Sequence, residues 1–387
     1  MRVAYVTRFP ADPSAPRGGV ESVSVVLVRA LSALADLEVH VVTTDSNCQQ
    51  PQISTWEGVT VHRLPRRGWS TLTEAVGAGR RQMKAYLTQL GPDLVHAHDV
   101  YGLMVKGLSL PRVFTIHGFI YGDTLVSRRK LPLLRALIWK RVETSGWADQ
   151  PHVISISPYV RERLRGIARG TIHDIDNPVN DDFFHIERQE RKRTIFSAAW
   201  IIPRKNTLGL LAGFARLSAM GVDAELRLAG SQSDSDYGRR VQEYIRDHNL
   251  EGRVTMLGRI DAQAVRQELA HASVFALASL EENSPMGIEE AMAAGVPVVT
   301  SNRCGMPYLV QDGESGYLYD PHDPDDIAQR IEELLQDDAR RAAMGETSRQ
   351  IAKDRFQSAG VARRTREVYL RAVHTFHNKN GHERRSR

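Results

Sequence analysis

Apolar and polar positions alternate in blocks along the chain, and the blocks repeat one theme: a short apolar run, a polar loop, then a stretch of helical period. The first run is Met1–Thr7, followed by a polar loop over 8–19 with three prolines that ends in Gly18-Gly19. Val20–Leu34 (VESVSVVLVRALSAL) has the length and period of a helix, and Glu38–Thr44 (EVHVVTT) is the next strand. A β-loop-α-β opening of this kind starts a doubly wound parallel sheet, whose ligands sit at the carboxyl ends of the strands. Further strands are expected at Val59–Leu64, Asp93–Ala97, Arg112–Ile116 and Val153–Ser157, with helices at Thr71–Gln89, Arg128–Arg141 and Pro158–Leu164. Two of these strands run into histidines, at His96 and His98 and at His117-Gly118.

After a turn at Ile175–Val179 and a polar stretch, Glu187–Arg193, expected as the linker between domains, the theme begins again. Strands are expected at Thr194–Ala199, Ala224–Ala229, Val254–Leu257, Val274–Ala278, Val296–Val299 and Tyr317–Tyr319. Helices intervene at Leu208–Ala219, Asp236–His248, Ala262–Ala270, Ile288–Ala294, Asp323–Leu335 and Asp337–Gly345. The expected fold class is therefore α/β, with two Rossmann-like doubly wound domains facing across a cleft. Residues 1–185 form the first domain and 186–357 the second. A helix is expected at 358–373, and 374–387 is a charged, frayed tail.

Length and composition agree with two globular cores: 387 residues, 42% hydrophobic and 25% charged. No apolar run approaches the roughly 18 residues of a spanning helix, and the N-terminus reads as a strand and not a signal peptide, so a cytoplasmic location is expected. Two distant cysteines, Cys48 and Cys304, argue against a disulfide framework or a structural zinc. The net charge is +5, and its excess lies in the first half. No nucleic-acid-binding module accompanies that charge. Arg128–Arg141 (RRKLPLLRALIWKR) is both basic and amphipathic, which suits an ordinary packed helix or one lying on the inner membrane face.

The densest chemistry is in Ser279–Val299. Glu282 and Glu290 are carboxylates suited to accepting hydrogen bonds from sugar or ribose hydroxyls. Between them, Pro285-Met286-Gly287 leads into a helix whose first N–H groups can meet an anion. Arg204-Lys205 offers two cations for a diphosphate, where negative charge builds as a glycosyl bond breaks. Gly18-Gly19 could hold the same phosphates from the other domain, and His117 ends a strand where an active site would lie. Taken singly, each has a plainer reading as a turn, a solvated cation pair or a structural histidine.

Taken together, these residues resemble the family-4 type of retaining glycosyltransferases with the GT-B architecture. The resemblance is carried by Glu282–Glu290 with Ala291–Val299, by Gln311–Leu318, by Asp93–His98, by Thr115–Gly118 and by Gly18–Glu21. It implies that Glu282 touches the donor sugar, that Glu290 accepts the ribose hydroxyls, and that the 358–373 helix crosses back to complete the first domain. It also implies that Met286 and Gly287 meet the diphosphate, that Lys205 neutralises it, that Gly258 to Ile260 border the base, and that His117 lies by the sugar and acceptor. The activity implied is metal-independent transfer, without a cofactor, from a nucleotide-sugar donor such as a UDP- or GDP-sugar to a glycan or lipid-linked acceptor. Three positions depart from the family pattern. Trp200 stands where an Arg is usual, Cys304–Tyr308 lacks the usual acid, and Asn177-Pro178-Val179-Asn180 replaces Asn-Gly-Val-Asp. The competing readings are a GT-B epimerase, a phosphorylase, and a non-catalytic glycan-binding or scaffold protein.

Overall fold

A computed structural model describes residues 1–126, 131–232 and 234–385. The chain divides into two compact units, Met1–Pro178 with Ser358–Arg387, and Val179–Gln357.

The first unit is built on eight strands: β1 (Arg2–Val6), β2 (Glu38–Asp45), β3 (Gln52–Trp56), β4 (Val59–Pro65), β5 (Leu94–His98), β6 (Arg112–Ile116), β7 (His152–Ser155) and β8 (Thr171–Asp174). Their order is β3-β4-β2-β1-β5-β6-β7-β8, parallel except for the antiparallel β3–β4 pair. β1, β5 and β6 are buried almost throughout, which is why they read as continuous apolar runs instead of alternating ones. The order reverses between β1 and β5, so the loops leaving those two strands diverge and open a crevice at their carboxyl ends.

The second unit carries β9 (Thr194–Ala198), β10 (Glu225–Ala229), β11 (Val254–Gly258), β12 (Val274–Leu277), β13 (Val298–Ser301) and β14 (Gly316–Tyr319). All neighbours are parallel, in the order β11-β10-β9-β12-β13-β14. This is the six-stranded dinucleotide-fold order, with its reversal between β9 and β12. Helices cover both faces, and two apolar clusters result. One gathers Phe214, Leu217, Ile327 and Ile331, and the other Phe196, Phe275, Ile288 and Met292.

Several expectations are corrected. The domain boundary falls at Pro178/Val179 and not at 185/186, because Val179, Phe183 and Phe184 bury their side chains in the second unit. Glu187–Arg193 is no linker: Gln189 and Arg191 donate backbone N–H bonds to Ala270 and His271. The Thr71–Gln89 helix is two, Thr71–Val76 and Ala78–Leu90, divided at Gly77. β3, β8 and the short helices Val100–Met104 and Ile120–Val126 were not expected. The helix expected at Arg128–Arg141 runs from Pro132 to Trp147, and its first three expected residues lie outside the described ones.

Asp337–Gly345 extends as one helix to Phe356. The last helix spans Ser358–Arg385, so the expected frayed tail is helical as far as it is described. Its early turns bury Val361, Ala362, Val368, Tyr369 and Ala372 in the first unit, and this nucleus lets a run of helix-compatible charged residues continue it. Among the described residues, no helix is long and apolar enough to cross a membrane.

Candidate active site

In the second unit the expected site residues collect at the strand ends around the β9/β12 reversal. The chain leaves β9 through Ala199–Ile202 and makes one 3-10 turn, Pro203–Lys205, which Asn206 closes in the left-handed conformation. The chain leaving β12 runs alongside: Leu280 N–H donates to the Arg204 carbonyl (2.9 Å), and the Arg204 guanidinium donates to the Glu281 carbonyl (2.8 Å). These bonds set Lys205 against Glu282. The two form an ion pair at Glu282 Oε1, and Arg204 Nη1 lies 3.4 Å from the same oxygen. Burial would raise the Glu282 pKa, but the charges of Lys205 and Arg204 outweigh it and hold the carboxyl below its ordinary value. Glu282 is therefore an ionised, buried carboxylate.

Glu290 has the opposite character. It lies on the helix Met286–Ala293, half-buried, and burial pushes its pKa up to about 8. Among the described residues none makes a hydrogen bond or ion pair with its carboxyl group. One turn earlier the helix begins at Pro285, whose carbonyl accepts from Ile288 (3.0 Å) and Glu289 (3.4 Å), so the Met286 and Gly287 N–H groups precede the first helical bonds. At Gly287 a Cβ would stand 3.1 Å from both the Ala198 carbonyl and the Phe275 ring, so a glycine lets this helix start close against the end of β9. Glu289, by contrast, is fully buried and accepts from the Ser284 hydroxyl, a structural role.

Gly258 ends β11 at φ +66° and accepts the Gly230 N–H (2.7 Å), which ties the β10 and β11 ends together. Ile260, two residues on, is half-buried against the Phe196–Phe275 cluster. Trp200 is 42% exposed at the start of the turn that carries Arg204 and Lys205. Its backbone passes close to Gly230, where a Cβ would lie 1.8 Å from the Ala199 carbonyl oxygen.

In the first unit, Gly18 is the N-cap of the helix Gly19–Ser32, with Arg17 N–H donating to the Glu21 carboxylate (2.7 Å). His117 follows β6 and His98 ends β5. Their rings stack at 5.2 Å with an 8° interplanar angle, and His98 Nδ1 lies 2.9 Å from His117 Nε2. Burial depresses the pKa of both, so both are neutral at physiological pH. Asp99 fixes the turn, accepting the N–H groups of His117 (2.7 Å) and Gly118 (3.2 Å). Its own φ of +45° is a conformation that costs energy outside glycine.

Behind His98, His96 bridges Thr115 Oγ1 and Tyr369 OH, both at 2.7 Å. Sequence reasoning singled out His117 but missed Asp99, and it named Asn177 only within a departure from the family pattern, not as the residue that contributes a hydrogen bond to His117. Asp99 had one legible signal, an acid directly after a strand-end histidine.

Two parallel-sheet Rossmann-like domains with a buried acid and paired cations at the second sheet's reversal define a GT-B protein. Residues 179–351 match the family model of glycosyl transferases group 1, and residues 17–183 match that of glycosyltransferase family 4. The chain belongs to the group 1 glycosyltransferases. It is 24% identical over 346 residues to an uncharacterised glycosyltransferase of Methanocaldococcus jannaschii, covering 87% of this chain and 90% of that protein. Among solved structures it is similar to the sucrose-phosphate synthase of Thermosynechococcus elongatus, with a TM-score of 0.83 and 22% identity over 97% of this chain and 99% of that one. The Anabaena protein HepE in complex with UDP-glucose matches at a TM-score of 0.71 and 17% identity, covering 95% of this chain and 99% of that one.

Proposed function

We propose that the protein transfers a sugar, with retention, from a UDP- or GDP-linked donor to a hydroxyl of a glycan or lipid-linked acceptor. Assembly of a cell-surface polysaccharide, lipopolysaccharide or glycolipid is the setting in which such a product is used. The observation that carries this reading is the pair of carboxylates in opposite states. Glu290, without a partner among the described residues, is a vacant acceptor suited to the two ribose hydroxyls. Glu282, ionised against Lys205, is suited to the hydroxyls of the donor sugar.

Charge accounts for the remaining roles. As the bond from the anomeric carbon to the diphosphate breaks, negative charge collects on the leaving oxygen. Lys205 has three N–H donors, and one suffices for Glu282, so the others can face phosphate together with Arg204 and the Met286 and Gly287 N–H groups. Gly18-Gly19 offers N–H groups of the same kind at a helix N-terminus of the first unit. The acceptor oxygen bonds to the anomeric carbon on the face the phosphate leaves, and its proton passes to a phosphate oxygen. Two side-chain cations and a helix N-terminus then take the place of a metal ion. Gly258 to Ile260 border the base, and neutral His117 can hydrogen-bond the sugar or acceptor without adding charge.

Titration calorimetry of the full chain with UDP, GDP and ADP tests this. Binding of one nucleotide, weakened at least about tenfold by Glu290→Ala, is expected from the loss of charge-assisted hydrogen bonds to ribose. An intact fold that binds none of them at millimolar concentration would favour a non-catalytic scaffold.

A further inference from the structure

We propose that the exposed face of the helix Pro132–Trp147, together with Trp69 and Val76, docks the protein on an anionic lipid surface. This goes beyond the transfer reaction and rests on it only for the choice of a lipid-linked acceptor.

The helix is apolar on two sides. One side buries Ala136, Trp139, Gly146 and Trp147. Trp139 packs with Ala75 and Leu103, and Gly146 approaches Leu103 so closely that a Cβ would meet its Cδ2 at 2.1 Å. The other side presents Leu133, Leu134, Leu137 and Ile138, 41–76% exposed, at helical spacing that makes a single stripe. The neighbouring helix Thr71–Val76 joins the same buried cluster through Leu72 and Ala75 and leaves Val76 exposed, with Trp69 just before it 90% exposed. Four large apolar side chains exposed in one stripe are the signature of an interaction face, not of scattered exposed residues.

Charge selects the occupant. Lys140 and Arg141 continue the stripe by one turn, and Arg66 and Arg67 lie beside Trp69, all exposed. From Leu131 to Val142 the chain has no acid. Glu143, on this helix, and Glu74, on the helix Thr71–Val76, are turned inward: Glu143 accepts the N–H groups of Ile120 (2.9 Å) and Tyr121 (3.0 Å), and Glu74 those of Arg67 (2.9 Å) and Gly68. An apolar stripe that continues into cations, with an exposed Trp and two further cations on the neighbouring segment, matches the interface of an anionic bilayer. A second copy docked by a two-fold axis would instead set cation against cation.

The geometry also ties this face to the reaction. Glu143 accepts two N–H bonds from the start of the helix Ile120–Val126, so the helix that meets lipid is tied to the segment leaving the strand end that carries His117. A lipid-linked acceptor is thereby brought to the unit that carries His117.

The test is flotation of the full chain with phosphatidylcholine vesicles, with and without phosphatidylglycerol. Partition onto the anionic vesicles, weakened by salt, is expected, and Leu133→Glu with Leu137→Glu should lower it at least about tenfold. Both positions are exposed, and unchanged near-UV dichroism and nucleotide binding in the variant check the fold. Absence of partition onto anionic vesicles, or equal partition of the variant, overturns the proposal. So does a concentration-dependent dimer abolished by the same substitutions, which assigns the face to a second copy. Donor binding is read independently of the vesicles, so failure of one leaves the other intact.

Discussion

Lys205, one turn beyond β9, is ion-paired with Glu282, just beyond β12, so opposite charges join the two strands that flank the reversal of the second sheet. The pair is shielded from water, with both side chains at most 13% exposed, and Arg204 stands 3.4 Å from the same carboxylate oxygen. In the reading above it is at once a structural contact and half of the diphosphate grip.

Removing one partner therefore strands a buried charge. Lys205→Ala should destabilise the protein by about 2–3 kcal/mol, below the ~3–5 kcal/mol of a fully isolated pair because Arg204 remains nearby. Urea unfolding of Lys205→Ala, Glu282→Ala and the double variant should give a double variant more stable than the sum of the two losses. Glu282→Ala should abolish transfer while nucleotide binding survives. Normal turnover by that variant would remove Glu282 from the active site.

Glu290 predicts a pH dependence of the opposite sign to a paired carboxylate. Its folded pKa, pushed up to about 8, exceeds the unfolded value of ~4.3. Below both values it costs nothing, and as pH rises through that window the unfolded chain ionises first, so the folded state loses relative stability. Glu290→Gln should accordingly stabilise the unliganded protein by about 1–2 kcal/mol at pH 8 and by much less at pH 5, the figure being reduced for solvent reaching a half-buried group. Nucleotide hydroxyls favour the ionised form, so binding near pH 7 should release a proton. Calorimetry in buffers of different ionisation enthalpy reads that proton directly, and no buffer dependence would exclude Glu290 from the ribose site.

The buried histidines make the first unit acid-labile. Burial lowers His62 and His173 to about 4 and His96 to about 3, and it also depresses His98 and His117. A depressed folded pKa leaves its stability intact above the unfolded value near 6.5 and loses it as pH falls toward 4. Stability should drop by at least about 2 kcal/mol between pH 6.5 and 4.5, and hydrogen exchange should show residues 1–178 losing protection before 179–357. Simultaneous loss in both units would contradict this.

Gly230→Ala should be among the most damaging substitutions in the second unit. The new Cβ would fall 1.8 Å from the Ala199 carbonyl oxygen, which is backbone and cannot swing aside. A loss of at least about 3 kcal/mol is expected, with nucleotide affinity lowered because the displaced turn carries Lys205. Gly287→Ala, whose contacts are 3.1 Å, should cost only about 1 kcal/mol and act mainly on nucleotide affinity. Thermal denaturation paired with calorimetry separates the two patterns.

Much of this protein was legible before any coordinates. Buried parallel strands impose near-continuous apolar runs, and helices impose their own period, so the two α/β cycles and most element boundaries follow from residue order. Segments with weak signals escaped: β3 is exposed along most of its length, β8 is four residues long, and Gly77 interrupts a helical pattern without disturbing its period. The carboxylates Glu282 and Glu290 were visible because the loop and helix that hold them are local.

Residue order by itself determined the composition of each layer and the acids, glycines and cations available at the strand ends. Only the tertiary structure decided which ends meet. Alternation says which face a strand buries but not its neighbour, and that neighbour sets Lys205 on Glu282 and His98 on His117. The same holds for His96 and Tyr369, which bond across 273 residues of chain because the last helix packs into the first core. Such contacts also set the charge states: burial without a partner makes Glu290 hold its proton, and burial beside two cations makes Glu282 give it up.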